Sequence, residues 1–356
     1  MREKVEVLQF IFLYRGCILN EREIIVSKFR NLRWCNLEMV KRCSLCSAPA
    51  VTQIYETRQY LCSRHYSEYF ERRIIKTIEK FKLLKNVNRL LLAVSGGKDS
   101  TVLLYVMHKL FSNKIDLVGF TIDLGIGEYS KKSTEVAIRN YKKLGIEYVI
   151  IDLKKNYEFS IDDIAQHRRK LRRPPCSVCG VIKRYLMNKT ALEVNADAIA
   201  TGHNLDDLAL FIISTLHGGK AEELVKLTLY NPSINGFIAK IKPLGLVSDK
   251  ETLLYALING IEFYGEECPY APKSGFRNTI IKILDIAENN YPGFKKRFVL
   301  NIMRHIIPKL PKPEGRIMKC KICGMPASYE VCSFCKVRIS ITKILKKSKE
   351  RSSQNN

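Results

Sequence analysis

Buried strands and amphipathic helices alternate along the middle of the chain. Residues 89–94 (RLLLAV) form an uninterrupted apolar run that stops at a pair of glycines, which predicts a strand buried on both faces. Further strands are predicted at 118–123, 148–153 and 198–201, and helices at 99–111, 130–144, 178–194 and 205–216. Such alternation predicts an α/β fold, in which a parallel sheet carries helices on both faces.

The regions that flank this core follow other patterns. Apolar residues at helical spacing predict a connecting helix with a basic face over 67–86, and further helices at 249–259 and 276–289. The predicted order of units is an N-terminal extension (1–40), a first cysteine module (41–67), a linker helix (68–86), the α/β domain (87–250), a helical segment with Cys268 (251–317), a second cysteine module (318–338) and a basic tail (339–356).

The charge balance points to a polyanionic partner. The 356 residues include 60 Lys and Arg against 35 Asp and Glu, a net charge of +25. A positive field of this size suits nucleic acid, although a generally basic proteome would also produce it. No apolar run reaches the ~18 residues of a spanning helix, and residues 8–19 lack the basic start of a signal peptide. We therefore expect a cytoplasmic protein with no membrane partner, whose 12 cysteines serve as metal ligands or catalytic groups.

A glycine-rich loop, Ser95–Ser100 (SGGKDS), joins the first predicted strand of the sheet to a helix. Its glycines let the backbone approach a ligand, and the helix N-terminus presents free N–H groups to an anion. The spacing differs from that of a Walker A loop and resembles the PP-loop of the ATP-pyrophosphatases, which holds the pyrophosphate end of ATP. An ordinary Gly-rich turn is the alternative. The expected ATP contacts are Ala93, Val94, Ser95, Gly96, Gly97, Lys98, Asp99 and Ser100.

Polar residues also follow two other predicted strands. Thr121 and Asp123 end one strand, and residues 201–207 (TGHNLDD) follow another. Ligands bind at the carboxyl ends of the strands in an open α/β sheet, so these residues are expected at the nucleotide site. We predict that Asp99 and Asp207 bind Mg²⁺. Helix capping is the alternative for the two aspartates of the TGHNLDD motif.

Three cysteines of the middle region form an incomplete ligand set. Cys176 and Cys179 follow a Pro-Pro pair, and Cys268 lies far along the chain. Three thiolates can hold a [4Fe–4S] cluster with one iron left uncovered for an exogenous ligand such as sulfide. A redox dithiol or persulfide carrier, and a structural CxxC beside an unrelated Cys268, are the alternatives.

The outer cysteine modules each offer four soft ligands in paired CxxC-type turns, the pattern of closed structural zinc sites. The sets are Cys43, Cys46, Cys62 and His65, and Cys320, Cys323, Cys332 and Cys335. Basic and aromatic residues surround the first set, which favours contact with an RNA backbone as much as simple packing of the module. The basic run 167–173 is interpreted as a phosphate or tRNA contact, or else as a solvated face.

The order of these motifs resembles one family. A CxxC…CxxH module, SGGKDS, PPCSVCG, TGHNLDD, EECPYA and a CxxC…CxxC module follow one another from about Met39 to about Cys335. This order is similar to that of the tRNA 2-thiouridine synthetases of the TtcA/TtuA family, in the PP-loop ATP-pyrophosphatase superfamily. The segment RRPPCSVCGVIKRYLMNK is typical of the TtuA branch.

The resemblance implies a Rossmann-like PP-loop domain flanked by zinc fingers, with specific roles for individual residues. Cys176, Cys179 and Cys268 would ligate a [4Fe–4S] cluster and take part in catalysis. Asp99 and Lys183 would be catalytic or contact ATP, and Gly202 and Asp207 would line the nucleotide site. The implied cofactors are ATP, Mg²⁺, the cluster and two Zn²⁺, and the implied partners are tRNA and a ubiquitin-like sulfur carrier with a C-terminal thiocarboxylate. A homodimer is the implied assembly.

The implied activity is ATP-dependent replacement of oxygen by sulfur at C2 of a tRNA uridine, with position 54 of the T-loop expected from the TtuA branch. The same chemistry at uridine 34 or on a cytidine is one alternative. A non-catalytic zinc-ribbon RNA-binding protein that senses nucleotide is another.

One departure from the family concerns the start of the chain. The family begins almost at the first CxxC, whereas 38 residues precede Met39 here. Either these residues form a genuine extension or translation begins at Met39. The second interpretation is favoured, because Cys17 and Cys35, which have no place in any ligand set, lie only in this segment.

Overall fold

The computed structural model describes residues 41–271, 275–311 and 317–354. The predicted extension at 1–40, with Cys17 and Cys35, lies outside the described residues. The first half of the fold contains β1 (Thr52–Ile54), β2 (Gln59–Leu61), α1 (Ser63–Lys80), β3 (Arg89–Ala93), α2 (Lys98–Phe111), β4 (Asp116–Asp123), α3 (Gly127–Leu144), β5 (Glu147–Asp152), α4 (Leu153–Tyr157), α5 (Ile161–Gln166), α6 (Arg168–Leu171) and α7 (Pro175–Glu193).

The second half completes the sheet and adds two helical layers and a small module. It contains β6 (Ala198–Thr201), α8 (Leu205–His217), β7 (Tyr230–Asn231), β8 (Ala239–Ile241), α9 (Asp249–Ile258), α10 (Gly275–Asn290), α11 (Phe294–Asn301), β9 (Met318–Lys319), β10 (Pro326–Ala327) and α12 (Ser333–Gln354). None of the helices in the described part of the chain is both long and apolar enough to cross a membrane.

The central sheet has six strands in the order β5-β4-β3-β6-β8-β7, and all pairs are parallel except β7 with β8. The predicted α/β fold is therefore confirmed. The chain runs from β3 outward through β4 to β5 and then crosses back to β6 on the other side of β3. This reversal creates a switch point between β3 and β6, where open α/β sheets bind ligands.

Strand β3 is the centre of two hydrophobic cores. Leu90, Leu91 and Leu92 are fully buried. Successive side chains of a strand point to opposite faces, so Leu90 and Leu92 join the core under α2, whereas Leu91 joins the core beneath α7. Burial on both faces explains why the sequence of this strand is an unbroken apolar run.

The predicted strands and helices match the observed ones to within a few residues except at helix α1. Several further elements were not predicted, among them α12, which runs from the second cysteine module through the predicted basic tail (339–356). Helix α1 begins at Ser63, directly after the metal-ligand candidate Cys62, and ends at Lys80 rather than at residue 86. The following residues turn instead, and both Lys82 and Asn86 adopt positive φ. The edge strand β7 and its neighbour β8 were not predicted, because runs of two and three residues carry too little periodicity.

Candidate nucleotide and cysteine site

The loop between β3 and α2 has the geometry of an anion cradle. Gly96 has φ of +80°, and a Cβ at this position would lie 2.0 Å from the carbonyl oxygen of Ser133, so only glycine fits. Gly97 caps α2 without a side-chain bond, which leaves the first N–H groups of the helix to a ligand. The hydroxyls of Ser95 and Ser100 lie 3.0 Å apart, and Ser100 Oγ also accepts the Ser95 N–H at 3.0 Å.

Lys98 is held between two carboxylates. Its Nζ lies 2.7 Å from Asp99 Oδ1 and 2.8 Å from Asp249 Oδ1. Burial disfavours the charge of Lys98, yet Asp99 and Asp249 raise its pKa above its ordinary value. Asn204 Nδ2 also donates to Asp99 Oδ1, at 3.2 Å. Asp249 was not predicted as a site residue, because it opens a helix 150 residues beyond the loop and belongs to no motif.

The two aspartates of the TGHNLDD motif have different surroundings. Asp207 forms a capping box with Asn204: its N–H donates to Asn204 Oδ1 at 3.0 Å, and its carboxylate accepts the Asn204 N–H. These bonds match the helix-capping alternative for Asp207. They do not bring its carboxylate to Asp99, with which it was predicted to bind Mg²⁺. Asp206 Oδ2 accepts the N–H of Asp249 at 2.7 Å.

Gly202 brings strand β6 against the phosphate loop. A Cβ at Gly202 would lie 2.8 Å from the amide nitrogen of Ser100 and 3.0 Å from the carbonyl carbon of Asp99. The next residue, His203, accepts or donates a bond to Thr201 Oγ1 at 2.8 Å. Burial, together with the charge of Lys242, lowers the pKa of His203 to about 4, so its ring is neutral at neutral pH.

The predicted residues of β3 and β4 make internal bonds. Thr121 is buried, and its hydroxyl donates to the carbonyl of Val94 at 2.7 Å, next to Ala93 at the end of β3. Asp123 Oδ1 accepts hydrogen bonds from the Gly125 N–H, at 2.9 Å, and from the hydroxyl of Ser130 in the first turn of α3, at 2.7 Å. Both residues lie at the carboxyl edge of the sheet, where they shape the loops around the site.

Cys176 and Cys179 lie near the start of α7, which begins after Pro174, and the N–H groups of Ser177 and Val178 bond there to the Pro174 carbonyl. Cys176 Sγ donates to the carbonyl of Tyr270, at 2.7 Å, two residues beyond Cys268. Burial, followed by the neighbouring thiols, raises the pKa of Cys176 and Cys179, and the charge of Lys183 opposes this. The structure thus brings together the three cysteines and Lys183.

The three middle thiols do not form a compact set of the kind that holds a single ion. Among the described residues, only the two outer four-ligand sets bring three or more ligand atoms within 4.8 Å of one another. A [4Fe–4S] cluster binds each cysteine through a different iron, so its thiolates stand farther apart than the ligands of one ion. All three donors are soft sulfur atoms, as such clusters require.

The segment that carries Cys268 is attached to the phosphate loop. The N–H of Tyr264 donates to the carbonyl of Gly96 at 2.8 Å. Farther along, Tyr270 Oη donates to Asp162 Oδ1 at 2.7 Å. The first bond holds the cysteine segment next to the nucleotide loop, and the second holds it against α5.

The outer modules each form a compact four-ligand set. Cys46 and Cys62 Sγ lie 3.6 Å apart, and Cys323 and Cys332 Sγ lie 3.8 Å apart. Four ligands around Zn²⁺ at a Zn–S distance of about 2.3 Å are separated by about 3.8 Å. Both sets are therefore suited to a metal ion. They comprise Cys43, Cys46, Cys62 and His65 in the first module and Cys320, Cys323, Cys332 and Cys335 in the second.

An exposed basic surface lies beside the cysteine site. Arg168, Arg169 and Lys170 of α6 are exposed, as are Arg172 and Arg173. None of these five cations forms an ion pair with a residue that the structure describes. Helix α12, which carries further exposed lysines, packs against α6 and α7 and extends this surface.

Comparisons with known proteins agree with this geometry. The PP-loop domain family matches residues 66–284, a range that includes the phosphate loop and all three middle cysteines. The chain is 43% identical over 299 residues to the tRNA-5-methyluridine(54) 2-sulfurtransferase of Pyrococcus horikoshii, covering 83% of this chain and 93% of the relative. The chain belongs to the tRNA-5-methyluridine(54) 2-sulfurtransferase family of PP-loop proteins.

Another member of this family, from Thermus thermophilus, is 36% identical over 309 residues, which are 86% of this chain and 94% of the relative. Among solved structures, the U34-tRNA thiolase NcsA of Methanococcus maripaludis, determined with its [4Fe–4S] cluster, superposes with a TM-score of 0.71. That comparison has 29% identity and covers 84% of this chain and 95% of NcsA. The family expected from the motif order is confirmed.

Proposed function

We propose that the protein is an ATP-dependent tRNA 2-sulfurtransferase that replaces O2 of the uridine at position 54 with sulfur. The observation that carries the proposal is the 43% identity, over nearly the whole relative, to a 2-sulfurtransferase named for that position. The phosphate loop and the three-cysteine site provide the two chemical functions that such a reaction needs, and they lie side by side.

The first function is activation of the uridine. O2 of the base attacks the α-phosphorus of ATP, the bond to pyrophosphate breaks, and AMP becomes attached to O2. The N–H groups at the start of α2 and the Lys98 ammonium are placed to offset the charge of the phosphates. Asp99 and Asp249 lie within contact distance of Lys98 and supply oxygen ligands that suit Mg²⁺.

The second function is delivery of sulfur. Cys176, Cys179 and Cys268 would hold a [4Fe–4S] cluster, which would supply an iron free of protein ligands for binding sulfide. Attack of hydrosulfide at C2 then forms the C–S bond and breaks the bond to O2, which leaves with AMP. Lys183 lies beside the thiols, where its positive charge opposes the burial effect on Cys176 and Cys179 and can also offset charge on phosphate.

The base would have only a short distance to move between the phosphate loop and the three-cysteine site. Tyr264 of the Cys268 segment bonds directly to Gly96 of the phosphate loop. A single nucleotide flipped out of the T-loop could therefore meet ATP and sulfur without dissociating. Exposing a stacked base costs a few kcal/mol, which contacts between the protein and tRNA must offset.

The outer modules and the basic surface would provide these contacts. We assign one Zn²⁺ to each four-ligand set, with a structural role because each set is closed. The exposed cations of residues 168–173 lie next to the cysteine site, where they can bind the phosphates of tRNA. A ubiquitin-like carrier with a C-terminal thiocarboxylate would deliver the sulfur. The enzyme would act as a homodimer in the cytoplasm.

Uridine 34 is the second candidate target, because NcsA, with the superposable fold, is a U34-tRNA thiolase. The experiment uses anaerobic protein with its cluster rebuilt, ATP, Mg²⁺, sulfide and tRNA that carries 5-methyluridine at position 54. Digestion and mass spectrometry locate the thionucleoside. Two matched tRNAs serve as controls. One has cytidine in place of the 5-methyluridine at position 54, and the other has cytidine in place of uridine 34.

Loss of the product only with the position 54 replacement supports the proposal. Loss only with the position 34 replacement would move the protein to the anticodon reaction. A protein that forms no AMP in the presence of tRNA, with its cluster intact, would instead be a nucleotide-sensing RNA-binding protein.

A further inference from the structure

A buried lysine outside every predicted site lies behind the nucleotide loop. Lys295 of α11 has a side chain only 5% exposed. Its Nζ lies 2.5 Å from Asp206 Oδ1 and 2.6 Å from Asp285 Oδ1. These carboxylates belong to α8 and α10, so one ammonium joins three helices. Burying such a charge is costly unless it is paired, and here it is paired twice.

One of the two pairs leads to the phosphate loop. Asp206 uses its other oxygen, Oδ2, to accept the N–H of Asp249 at 2.7 Å. Asp249 in turn places its carboxylate 2.8 Å from the Nζ of Lys98. A continuous line of contacts therefore runs from Lys295 through Asp206 and Asp249 to the lysine of the loop. The pair with Asp285 does not lead there.

The two carboxylates also determine the charge of Lys295. Burial disfavours its charge, but the bonds from Asp206 and Asp285 raise its pKa above its ordinary value. It is therefore an ammonium at neutral pH. Without it, Asp206 would be an unpaired carboxylate close to Asp249, in a region that must accept the phosphates of a nucleotide.

We propose that Lys295 is a positioning residue for the nucleotide site: by holding Asp206 it fixes the start of α9, and with it Asp249 and the Lys98 ammonium. The inference rests on the proposed function, in which the ligand of the loop is ATP. It assigns a role in nucleotide binding to α11, which lies nearly 200 residues beyond the loop in sequence.

The test compares two substitutions that each break one bond of Lys295. Asp206→Asn weakens the pair that leads to the loop, and Asp285→Asn weakens the pair that leads away from it. Equilibrium binding of ATP with Mg²⁺ is measured by titration calorimetry on the full chain, well below the unfolding temperature of each variant. We expect Asp206→Asn to raise the Kd for ATP by about tenfold and Asp285→Asn to change it less than about twofold.

Lys295→Met removes both bonds and is expected to raise the Kd as much as Asp206→Asn. The double variant Asp206→Asn/Lys295→Met should have a Kd for ATP no higher than that of either single variant, since both substitutions act through one line of contacts. The Lys295→Arg variant keeps the charge and should bind ATP more tightly than the Lys295→Met variant. This comparison keeps the test valid if Lys295→Met fails to fold.

A merely structural role predicts another result. In that case Asp285→Asn and Asp206→Asn would raise the Kd for ATP equally whenever they lower the melting temperature equally. This outcome would overturn the inference. An unchanged Kd in both Asp206→Asn and Lys295→Met would do the same. Wild-type protein that binds no ATP would instead refute the proposed function, and the inference with it.

Discussion

The ring of Phe334, in the second metal module, stacks on the ring of Tyr185, with centroids 3.9 Å apart and planes inclined by 2°. Tyr185 belongs to α7, the helix that begins with Cys176 and Cys179. Phe334 is 2% exposed and also meets Tyr157 edge to face at 5.1 Å. The C-terminal module is therefore packed against the helix that presents the thiols, rather than hanging from the chain.

Phe334→Ala is expected to release this module from α7. Truncating a buried phenylalanine costs about 3–5 kcal/mol, so amide hydrogen exchange in α12 and α7 should speed up together. Tyr329→Ala, at a residue 67% exposed, is the control and should leave exchange in α7 unchanged. If Phe334→Ala leaves α7 as protected as in the wild type, the packing does not support that helix.

Removing Cys268 should separate the two kinds of metal site. We expect Cys268→Ala to lose most of its iron after anaerobic reconstitution and to keep both zinc ions, because Cys268 lies with Cys176 and Cys179 and outside the four-ligand sets. Elemental mass spectrometry gives the iron and zinc content per chain. Cys46→Ala should show the converse, with one zinc lost and iron retained. A full complement of iron in Cys268→Ala would show that Cys268 is not a cluster ligand.

Gly202→Ala should weaken ATP binding without touching a charged group. The new methyl would lie 2.8 Å from the amide nitrogen of Ser100, so the first turn of α2 must move. We expect a rise of about tenfold in the Kd for ATP, which corresponds to about 1.4 kcal/mol. Gly275→Ala is the control, because a Cβ there meets nothing within 4 Å. Unchanged binding in Gly202→Ala would mean that the loop tolerates the shift.

Lys242 should make stability depend on pH at the alkaline end. Burial, and then the charge of Lys240, lower the pKa of Lys242 from 10.5 to about 8. Below pH 8 both folded and unfolded chains carry this proton, and the folded state bears the cost of a buried charge. Between about 8 and 10.5 only the unfolded chain carries it, so this group makes stability rise with pH.

Lys242→Met should accordingly be more stable than the wild type at pH 7, by about 2 kcal/mol after the lost bond to the Thr228 carbonyl is allowed for. The difference should shrink as the pH approaches 10.5. Urea unfolding of ligand-free protein across this range measures it. Lys250→Met, at an exposed lysine, should show no such trend. A difference that is constant with pH would contradict the assignment to a buried charge.

Cations of α6 should contribute to tRNA binding through phosphate contacts. Replacing Arg168 and Lys170 together with alanine is expected to reduce the slope of log K against log salt by about 1.4–1.8, because each lost contact contributes about 0.7–0.9. Filter binding at several salt concentrations measures this slope. Lys131 and Lys132, exposed on α3, are the matched control pair. Equal slopes for both double variants would place the tRNA elsewhere.

The centre of the fold could be predicted from sequence because its strands are continuous apolar runs. Leu90, Leu91 and Leu92 are all fully buried, and this double burial is what makes the run so distinct. The last two strands of the sheet were missed for the opposite reason: Tyr230–Asn231 and Ala239–Ile241 are too short to show a period. Helix α1 was predicted too far along the chain, because the turn at Lys82 has apolar neighbours that continue the helical pattern.

The candidate site divides in the same way. The loop, the thiols and the metal ligands form motifs within short stretches of sequence, so they could be identified before the structure. Asp249 and Lys295 could not, because each is an ordinary charged residue at a helix start and acquires its role only when the fold brings distant helices together. Asp207 illustrates a further limit, since one sequence position served both a ligand and a capping interpretation.

The bond from the Tyr264 N–H to the Gly96 carbonyl joins two main-chain atoms. No side-chain substitution other than one to proline removes such a donor. Residues that line the space between the phosphate loop and the thiols can therefore change, and with them the nucleotide that enters, while this bond between the two regions stays in place. A scaffold of this kind can move from one base of tRNA to another without rebuilding its chemistry.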